Sequence, residues 1–365
     1  MLVGDGSIWR RFQRCIIRKD ILFAICVATA VICVGTVFAW ENNKVVSTNV
    51  VTSAHYLLEP GNHLSFLANW DGRDYIDIAI NGYQSQIQTS FFPLYPLLIH
   101  LLNYLVRSPL MSALLISWSA FVGSIYFYLK VVKLIYGIRD GVRAFEAVIF
   151  FVLFPTGVFL LAAYTESLFA FFSLATIYFA LQRQTIRAGI AMALATATHD
   201  NSIFMIVFIG LLLWEERVRL REIITTTAIG CLGLVSYMLY LQYRFKNPLQ
   251  FIAAQKTHGW LGYNAPLISE LHGRDAVFLL LAIAATWYWW HRRKSFAIYS
   301  ALYVCIVFLG NLGGYGRYVL MDFPIQLMLY ETFRNKKLGY ALVLAACMSF
   351  WMYFLLQFAG GYTGG

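Results

Sequence analysis

Long apolar runs alternate with short polar segments along most of this chain. A helix that crosses the hydrocarbon core of a bilayer needs about 20 mostly apolar residues. We therefore predict an all-α polytopic membrane protein with about nine to eleven transmembrane helices. The first run follows a basic segment and is long for a signal peptide, which favours an uncleaved anchor. The regular spans are expected at 21–40, 111–136, 144–163, 167–182, 222–243, 276–290, 296–312, 318–333 and 338–358.

Two apolar runs are irregular. Residues 91–106 carry Pro93 and Pro96, and residues 188–214 are interrupted by the polar run 199–202. A broken helix is tolerated in lipid only where protein or water satisfies the freed backbone groups. The prolines therefore predict either a kinked helix start or a helix mouth that lines a cavity. The polar run predicts the tip of a re-entrant pair of helices.

The composition places most of the surface in lipid. The chain is 60% hydrophobic and 13% charged, whereas about a quarter of the residues of a soluble protein are charged. A soluble enzyme, a disordered chain and a secreted disulfide scaffold are excluded on this ground. The net charge of +10 is gathered in clusters beside apolar runs, which is typical of cytoplasmic loops and not of nucleic-acid binding.

These basic clusters also predict the orientation in the membrane. Arg139 and Arg143 fit that orientation only if residues 91–106 are partly re-entrant or interfacial. The segments expected in the cytoplasm are the N-terminus, 183–187, 217–221, 292–294 and 334–337.

No repeat divides the chain, so residues 1–365 are expected to form a single transmembrane domain. Two polar loops, 41–90 and 244–275, are expected on the outer face. The first is predicted to contain short helices, and loops of this length are uncommon unless they are functional.

The densest candidate chemistry lies in the first outer loop, around Asp71. Either Asn69 or Asp71 is expected to cap a short helix, on which Asp77 is expected to be a solvated charge. A carboxylate beside Trp70 at the mouth of a membrane cavity is suited to general-base chemistry. Metal binding by Asp71 and Asp74 is a weaker alternative, because no third ligand accompanies them.

Further polar residues lie in apolar surroundings. Glu166 and the pair His199 and Asp200 occupy positions where a charge costs about 3 kcal/mol unless it is paired or faces a cavity. Glu166 could equally be a first-turn acid that is stabilised by the helix dipole. The histidine and aspartate either neutralise each other or bind a polar group.

Two later segments complete the candidate chemistry. Gln255 and Trp260 combine an amide with a stacking ring, which suits sugar binding and suits an interfacial amphipathic helix equally well. Arg317 lies at the outer end of a predicted span, where arginine is unusual. Its guanidinium either grips a lipid-linked phosphate by two parallel hydrogen bonds or snorkels to lipid headgroups.

Several short motifs follow one another in a defined order between about residues 60 and 330. They are Trp70-Asp71-Gly72, Ile78-Ala79, Gly82-Tyr83, Phe91-Phe92-Pro93-Leu94-Tyr95-Pro96, Phe154-Pro155, Tyr164-Thr165-Glu166-Ser167, the run 255–260, Arg317-Tyr318 and Phe323-Pro324. The ordered set resembles the PIG-V-type family, which comprises GPI mannosyltransferase II and its prokaryotic relatives in the GT-C glycosyltransferase superfamily. The run 199–202 departs from the family's pattern.

The resemblance implies a GT-C-like bundle that moves a sugar, most often mannose, from a polyprenyl-phosphate donor. The acceptor would be a hydroxyl of a lipid-linked or glycolipid molecule, the transfer would invert the anomeric carbon, and Asp71 would be the base. Expected partners are the donor, the lipid or glycan acceptor and membrane lipids, without nucleic acid. No cofactor besides the lipid-linked donor is expected, and a divalent metal is an open alternative that is not expected. The expected substrate-binding residues are Trp70, Arg73, Asp74, Tyr95, Tyr164, Glu166, His199, Asp200, Gln255, His258, Trp260, Arg317 and Tyr318.

The active site of such an enzyme would lie on the non-cytoplasmic face, where nucleotide sugars are absent. The membrane would be a bacterial or archaeal plasma membrane, or the endoplasmic reticulum of a eukaryote. A polytopic lipid or sugar transporter or flippase is the alternative, because transporters also use broken helices and intramembrane charges. A lipid-phosphate hydrolase or ligase is a third possibility.

Overall fold

The computed structural model describes residues 6–40, 63–138, 141–257, 273–307 and 314–362. The described residues form helices joined by turns and contain no strand, which confirms the all-α prediction. Short 3-10 turns cover Ser65–Ala68, Ile87–Ser90 and Gly157–Leu160. The α-helices are α1 (Gly6–Trp40), α2 (Asp71–Asn81), α3 (Leu94–Val106), α4 (Pro109–Tyr136), α5 (Gly141–Val152), α6 (Glu166–Leu181), α7 (Thr185–Thr196), α8 (Ser202–Glu215), α9 (Leu220–Phe245), α10 (Gln250–Thr257), α11 (Gly273–Trp290), α12 (Lys294–Ile306), α13 (Tyr315–Val319), α14 (Phe323–Phe333) and α15 (Lys337–Ala359).

Among the described residues, four helices are long and apolar enough to cross a membrane. They are the Lys19–Trp40 part of α1, then α4, α9 and α15. Several other apolar helices, including α3, α6, α7, α8 and α12, are shorter than the usual span. The protein is therefore a membrane protein in which long spans alternate with short or broken helices.

Two predicted spans are wrong as continuous helices. The span 144–163 divides into α5 and a 3-10 turn, with Pro155 between them. The span 318–333 divides into α13 and α14, and Pro324 lies in the first turn of α14. Proline has no amide hydrogen to donate, so it is tolerated at a helix start and disrupts a helix interior. The span 296–312 reaches Ile306 as α12, and residues 308–313 lie outside the described residues.

The two irregular runs are resolved differently. Helix α3 begins directly after Pro93, so Pro96 falls in its first turn, and the prolines mark a helix start. The run 188–214 is broken as predicted, because α7 and α8 are separated by residues 197–201. Helices of 12 and 14 residues extend about 18 and 21 Å, less than the roughly 30 Å of a bilayer core.

The helix pair α7 and α9 packs closely and fixes this break. The hydroxyl of Thr196, the last residue of α7, donates to the carbonyl of Gly230 at 2.7 Å. A side chain at Gly233 would collide with the carbonyl of Ala193. Close backbone approach therefore holds the end of α7, and with it the polar run that follows.

Basic segments predicted on one face lie together in the bundle. The Arg183 guanidinium donates to the Glu216 carbonyl at 2.8 Å, and Arg293 forms an ion pair with the Glu216 carboxylate. Arg183 follows the end of α6, whereas Glu166 begins this 16-residue helix. The two ends of α6 are about 24 Å apart, so the basic end and the Glu166 end lie on opposite sides of the bundle.

Candidate active site

An arginine held between two carboxylates lies at the Glu166 end of the bundle. Nη1 of Arg317 donates to Oδ2 of Asp71 at 2.5 Å. Nε of Arg317 lies 3.1 Å from Oε1 of Glu166, an ion-pair distance. The structure thus joins two residues that the sequence singled out as base and phosphate ligand. We call these three residues the Arg317 cluster.

The turn before α2 positions Asp71. Asn69 and Asp71 do not cap the helix, contrary to the prediction, because Asn69 donates to the Phe358 carbonyl at 3.3 Å and Asp71 faces the arginine. Trp70 is the N-cap residue, with a φ of 58°, and such left-handed conformations are uncommon outside glycine. Hydrogen bonding fixes the turn from the other side, because the Tyr164 hydroxyl donates to the Asn69 carbonyl at 2.9 Å.

Glu166 is the buried member of the Arg317 cluster. It is the first residue of α6, where a carboxylate is stabilised by the helix dipole. Its side chain is 2% exposed, compared with 25% for Asp71 and 14% for Arg317. The hydroxyl of Thr165 lies 3.4 Å from Oε2 of Glu166. Glu166 therefore combines the predicted first-turn position with an ion pair to Arg317.

Aromatic rings surround the guanidinium. The Cζ atom of Arg317 lies 5.8 Å from the ring centre of Phe159, 5.5 Å from that of Tyr164 and 5.6 Å from that of Tyr318. Cations are attracted to ring faces at such distances. The rings also exclude water and strengthen the electrostatic interactions of the arginine.

The polar run 199–202 forms a second group beside this cluster. Nδ1 of His199 lies 2.7 Å from Oδ1 of Asp200, and Nε2 of Gln255 donates to Oδ2 of Asp200 at 2.9 Å. The His199 ring stacks on Phe169 at 5.2 Å and meets Tyr318 edge-on at 6.1 Å. The predicted residues His199, Asp200, Gln255 and Tyr318 are thus brought together.

Opposing effects set the protonation of Asp200. Burial acts to raise its pKa, but His199 and the hydrogen bonds from Gln255 and the Asn201 amide outweigh burial and lower the pKa to about 2. Asp200 is therefore ionised at neutral pH.

Arg73 and Asp74 lie apart from the Arg317 cluster. Both are buried, with 2% and 3% exposure, and the structure gives neither of them a contact with Arg317. Each helix position turns by about 100°. Arg73 lies two positions beyond Asp71, a turn of about 200°, so it points away from the face that carries Asp71. Burial, followed by the charges of Asp71 and Asp77, raises the pKa of Asp74 to about 8 despite the opposing charge of Arg73.

The remaining predicted residues fall into two groups. The hydroxyl of Tyr95 donates to the Ala113 carbonyl at 3.0 Å and lies 2.8 Å from the Ser117 hydroxyl, and its ring packs behind Tyr75. Tyr95 is fully buried and supports the wall of the site. His258 and Trp260 lie outside the described residues.

The expectation that Asp77 is solvated is wrong. Its carboxylate accepts hydrogen bonds from Gln88 at 2.6 Å and Asn81 at 2.7 Å, and the residue is buried. The 3-10 turn that carries Gln88 folds onto α2 and is fixed by the Tyr237 hydroxyl, which donates to the Thr89 carbonyl at 2.7 Å. Asp77 therefore fastens the outer loop to the bundle.

The site also contains residues that sequence reasoning missed. Tyr75 reaches the Thr165 hydroxyl at 3.2 Å and so links α2 to the start of α6. Phe159 and Phe169 supply rings to the arginine and the histidine. Their only sequence signal is nearness to the Tyr164-Thr165-Glu166-Ser167 motif, because an aromatic residue in an apolar run is no different in pattern from a core residue.

The site combines one partly buried guanidinium with two carboxylates, of which Asp71 is the more exposed. Within the described ranges, no group of three histidine, cysteine or acidic side chains is close enough to share a metal ion. Asp71 and Glu166 instead face a guanidinium. The arrangement can hold an anion at the arginine and accept a proton at Asp71.

Comparison with known sequences places this arrangement in a family context. A family profile described as "Mannosyltransferase (PIG-V)" matches residues 22–260. Arg317 lies beyond the matched residues, whereas Asp71, Glu166 and the polar run 199–202 lie within them.

Individual relatives agree with the profile. The chain is 27% identical over 189 residues to "GPI mannosyltransferase 2" of Schizosaccharomyces pombe, which covers 48% of this chain and 40% of the relative. It is 31% identical over 158 residues to "GPI alpha-1,6-mannosyltransferase 2" of Cricetulus griseus, covering 40% of this chain and 31% of the relative. The mouse protein of the same name is 27% identical over 243 residues, covering 56% of this chain and 48% of the relative. These matches span less than half the length of each of these relatives.

A profile that matches well over half of the chain, together with relatives named for the same activity, fixes the assignment. The chain belongs to the PIG-V mannosyltransferase family.

Proposed function

We propose that the chain is a membrane mannosyltransferase that uses a polyprenyl-phosphate sugar as donor. The acceptor would be a hydroxyl group of a lipid-linked or glycolipid molecule. The observation that carries the proposal is the convergence of Asp71 and Arg317 at the end of the bundle opposite the basic loops. Family membership supports the sugar, because the relatives are named as mannosyltransferases.

The donor phosphate is assigned to Arg317. A guanidinium presents parallel donors that match two oxygens of a phosphate. The ring faces of Phe159, Tyr164 and Tyr318 border the guanidinium and leave less room for competing water. Glu166 lies against Nε from the buried side, and Asp71 contacts Nη1 from the more exposed side.

The bond changes of the proposed reaction are balanced without a cofactor. The acceptor oxygen attacks the anomeric carbon, and the bond from that carbon to the donor phosphate breaks. The bonding electron pair leaves with the polyprenyl phosphate, and the proton of the acceptor hydroxyl goes to Asp71. Direct displacement inverts the anomeric carbon. Phosphate is a stable leaving anion, so electrostatic stabilisation by Arg317 replaces a general acid.

The sugar and the acceptor would bind between the two groups of the site. His199 and Gln255 carry polar atoms on the side facing Tyr318. Trp70 and Tyr164 border Asp71 through the turn before α2. His258 and Trp260 remain candidates for sugar contacts on the basis of the sequence.

The proposed location is the non-cytoplasmic face of the membrane. The site lies at the start of α6, and the basic segments at 183 and 293 lie at its other end. Positively charged loops are enriched in the cytoplasm. Nucleotide sugars are absent from the other face, so a donor there must be attached to lipid.

Transfer from polyprenyl-phosphate [³H]mannose in detergent tests the proposal. A lipid extract of the host membrane supplies the acceptor, and labelled product is counted. Asp71→Asn should lose more than 99% of transfer, since the amide cannot accept the proton. Glu216→Gln makes the same acid-to-amide change at the basic end of the bundle, away from Arg317, and serves as the matched control. Addition of EDTA tests the expectation that no metal is required.

Two outcomes would reject the proposal. Transfer by Asp71→Asn at the wild-type rate would show that Asp71 is not the base. Absence of transfer by the wild-type protein in detergent, together with lipid movement in sealed vesicles, would favour the flippase alternative, because transport needs two compartments and transfer does not.

A further inference from the structure

The two carboxylates on Arg317 differ in what can reach them. The Glu166 side chain is 2% exposed and the Asp71 side chain is 25% exposed. An anion that approaches Arg317 from outside the bundle therefore meets the edge of the guanidinium that Asp71 already occupies. Asp71 thus contacts Nη1 on the more exposed side of the guanidinium.

Charge makes simultaneous occupancy unfavourable. Arg317 carries one positive charge and is already matched by two carboxylates. A phosphodiester would add a third negative charge around a single cation, in a pocket lined by aromatic rings where charges are weakly screened. One of the three anions has to move away from the guanidinium.

Asp71 is the carboxylate that can move. Among the described residues, its only side-chain hydrogen bond is the one to Arg317. It is the first residue of α2, so a side-chain rotation releases it without disturbing the helix. Glu166 is enclosed at the start of α6 beside Thr165 and has no comparable path to solvent.

We propose that the donor phosphate displaces Asp71 from Arg317 and thereby releases the base, an inference that rests on the proposed function. Glu166 is then a positioning residue, which holds Nε of the guanidinium while Nη1 exchanges one anion for another. Asp71 is neutralised by the arginine in the free protein and becomes available to the acceptor hydroxyl only after the donor is bound. Binding of the donor and activation of the acceptor are coupled through one guanidinium.

A binding experiment tests the exchange without any transfer. The probe is farnesyl phosphate, a short prenyl monophosphate, and farnesol measures the contribution of the prenyl chain alone. Removing the competing carboxylate in Asp71→Asn should tighten farnesyl phosphate binding by about fivefold, the upper end expected for one partly exposed ion pair. Farnesol affinity should not change. Glu216→Gln, an equal loss of negative charge at the basic end of the bundle, should bind like the wild type.

A double-mutant cycle separates exchange from general repulsion. The effect of Asp71→Asn is measured again on an Arg317→Met background. The exchange predicts that the gain disappears there, because no guanidinium remains to be contested. A gain that persists on that background, or that Glu216→Gln reproduces, would overturn the exchange. If Arg317→Met does not fold, Arg317→Gln provides the same loss of charge with a polar side chain.

The proposed function and the exchange fail in different ways. Loss of transfer in Asp71→Asn with unchanged farnesyl phosphate affinity would support Asp71 as the base and reject its displacement by the phosphate. Tighter farnesyl phosphate binding by Asp71→Asn with intact transfer would support displacement of Asp71 by the phosphate and reject Asp71 as the base. The role of Glu166 has its own readout, because Glu166→Gln should weaken farnesyl phosphate binding, whereas Asp71→Asn should strengthen it. Equal effects of the two variants would contradict the division of roles.

Discussion

Each end of the bundle has an arginine held between two carboxylates, and the two clusters differ in origin and burial. At the basic end, Arg293 contacts Glu215 and Glu216, which are adjacent in sequence. Glu215 also accepts hydrogen bonds from the amide and hydroxyl of Ser295 at 2.7 and 2.6 Å. This Arg293 cluster fastens the end of α8 to the start of α12. All three charged side chains are between one fifth and one third exposed.

The Arg317 cluster draws its members from three distant parts of the chain. Arg317 and Asp71 are 246 positions apart, and Glu166 begins a third helix. Glu166 is almost fully buried and rings enclose the guanidinium. Desolvating such charges is costly unless geometry and pairing compensate.

The difference in origin and burial supports our proposal that the Arg293 cluster is a structural contact and the Arg317 cluster a functional one. A charge pair between neighbouring loops needs no burial and tolerates water. The Arg317 cluster gathers charges from separate helices into an aromatic pocket and leaves one carboxylate accessible, which a structural contact does not require. We therefore expect the two arginines to respond differently to the same substitution.

Substitution of the two arginines should give the largest difference. Arg317→Lys should lower the transfer rate by more than about 100-fold, because an ammonium cannot form two parallel hydrogen bonds to a phosphate. Arg293→Lys should stay within about twofold of the wild type, since its contacts are with exposed carboxylates. Initial rates at varied donor concentration measure both. Equal losses in the two variants would remove the functional distinction between the clusters.

Neutralising the buried acid should have the next largest effect, on stability. Glu166→Gln leaves a buried guanidinium with one partner fewer, and we expect the free energy of unfolding to fall by about 3 kcal/mol. Glu215→Gln, the matched change at the basic end, should cost about 1 kcal/mol at most. Denaturation in detergent, followed by tryptophan fluorescence, compares them. A larger loss in Glu215→Gln would show that burial does not distinguish the clusters.

The fold was predictable where composition alone decides it. The runs that became α1, α4, α9 and α15 were identified because long apolar segments have few alternatives in a membrane. The errors at 144–163 and 318–333 arose where a proline interrupts an apolar run. Hydropathy does not register such a break, because the flanking residues are equally apolar.

The site was predictable residue by residue but not as an assembly. Asp71 and Arg317 were each identified from unusual local surroundings, and their contact depends on the packing of distant helices. The error at Asp77 has the same cause, since the turn that buries it carries Gln88 and folds back onto α2. Arg73 is buried two positions beyond Asp71 on α2, and its expected part in substrate binding stays a prediction.

The other buried acid of α2 should show a smaller effect that depends on pH. The pKa of Asp74 is raised to about 8, chiefly by burial. Between the ordinary pKa of an aspartate and about pH 8, Asp74 is protonated in the folded state and ionised in the unfolded state. The free energy of unfolding therefore falls as the pH rises through this window. Asp74→Asn removes this penalty, which grows by about 1.4 kcal/mol for each pH unit within the window, and should therefore stabilise the protein at neutral pH.

Thermal unfolding of both proteins at several pH values measures this effect. The gain in stability of Asp74→Asn over the wild type should be small at pH 5 and larger at pH 8. An advantage that is constant across the range would mean that the substitution acts through packing, and a loss of stability at pH 8 would contradict the raised pKa.

The smallest effect is expected for Glu216, and it tests the comparison from the structural side. Its carboxylate is 28% exposed and pairs with an arginine that is 21% exposed, so water competes with the contact. Exposed pairs contribute about 0.2–1 kcal/mol. The hydrogen bond from Arg183 goes to the Glu216 carbonyl, which Glu216→Gln does not change.

We therefore expect Glu216→Gln to lower the free energy of unfolding by less than about 1 kcal/mol and to leave transfer unaffected. The loss should shrink in high salt, because mobile ions screen exposed pairs. A decrease in transfer comparable to that of Arg317→Lys would mean that the basic end also takes part in catalysis.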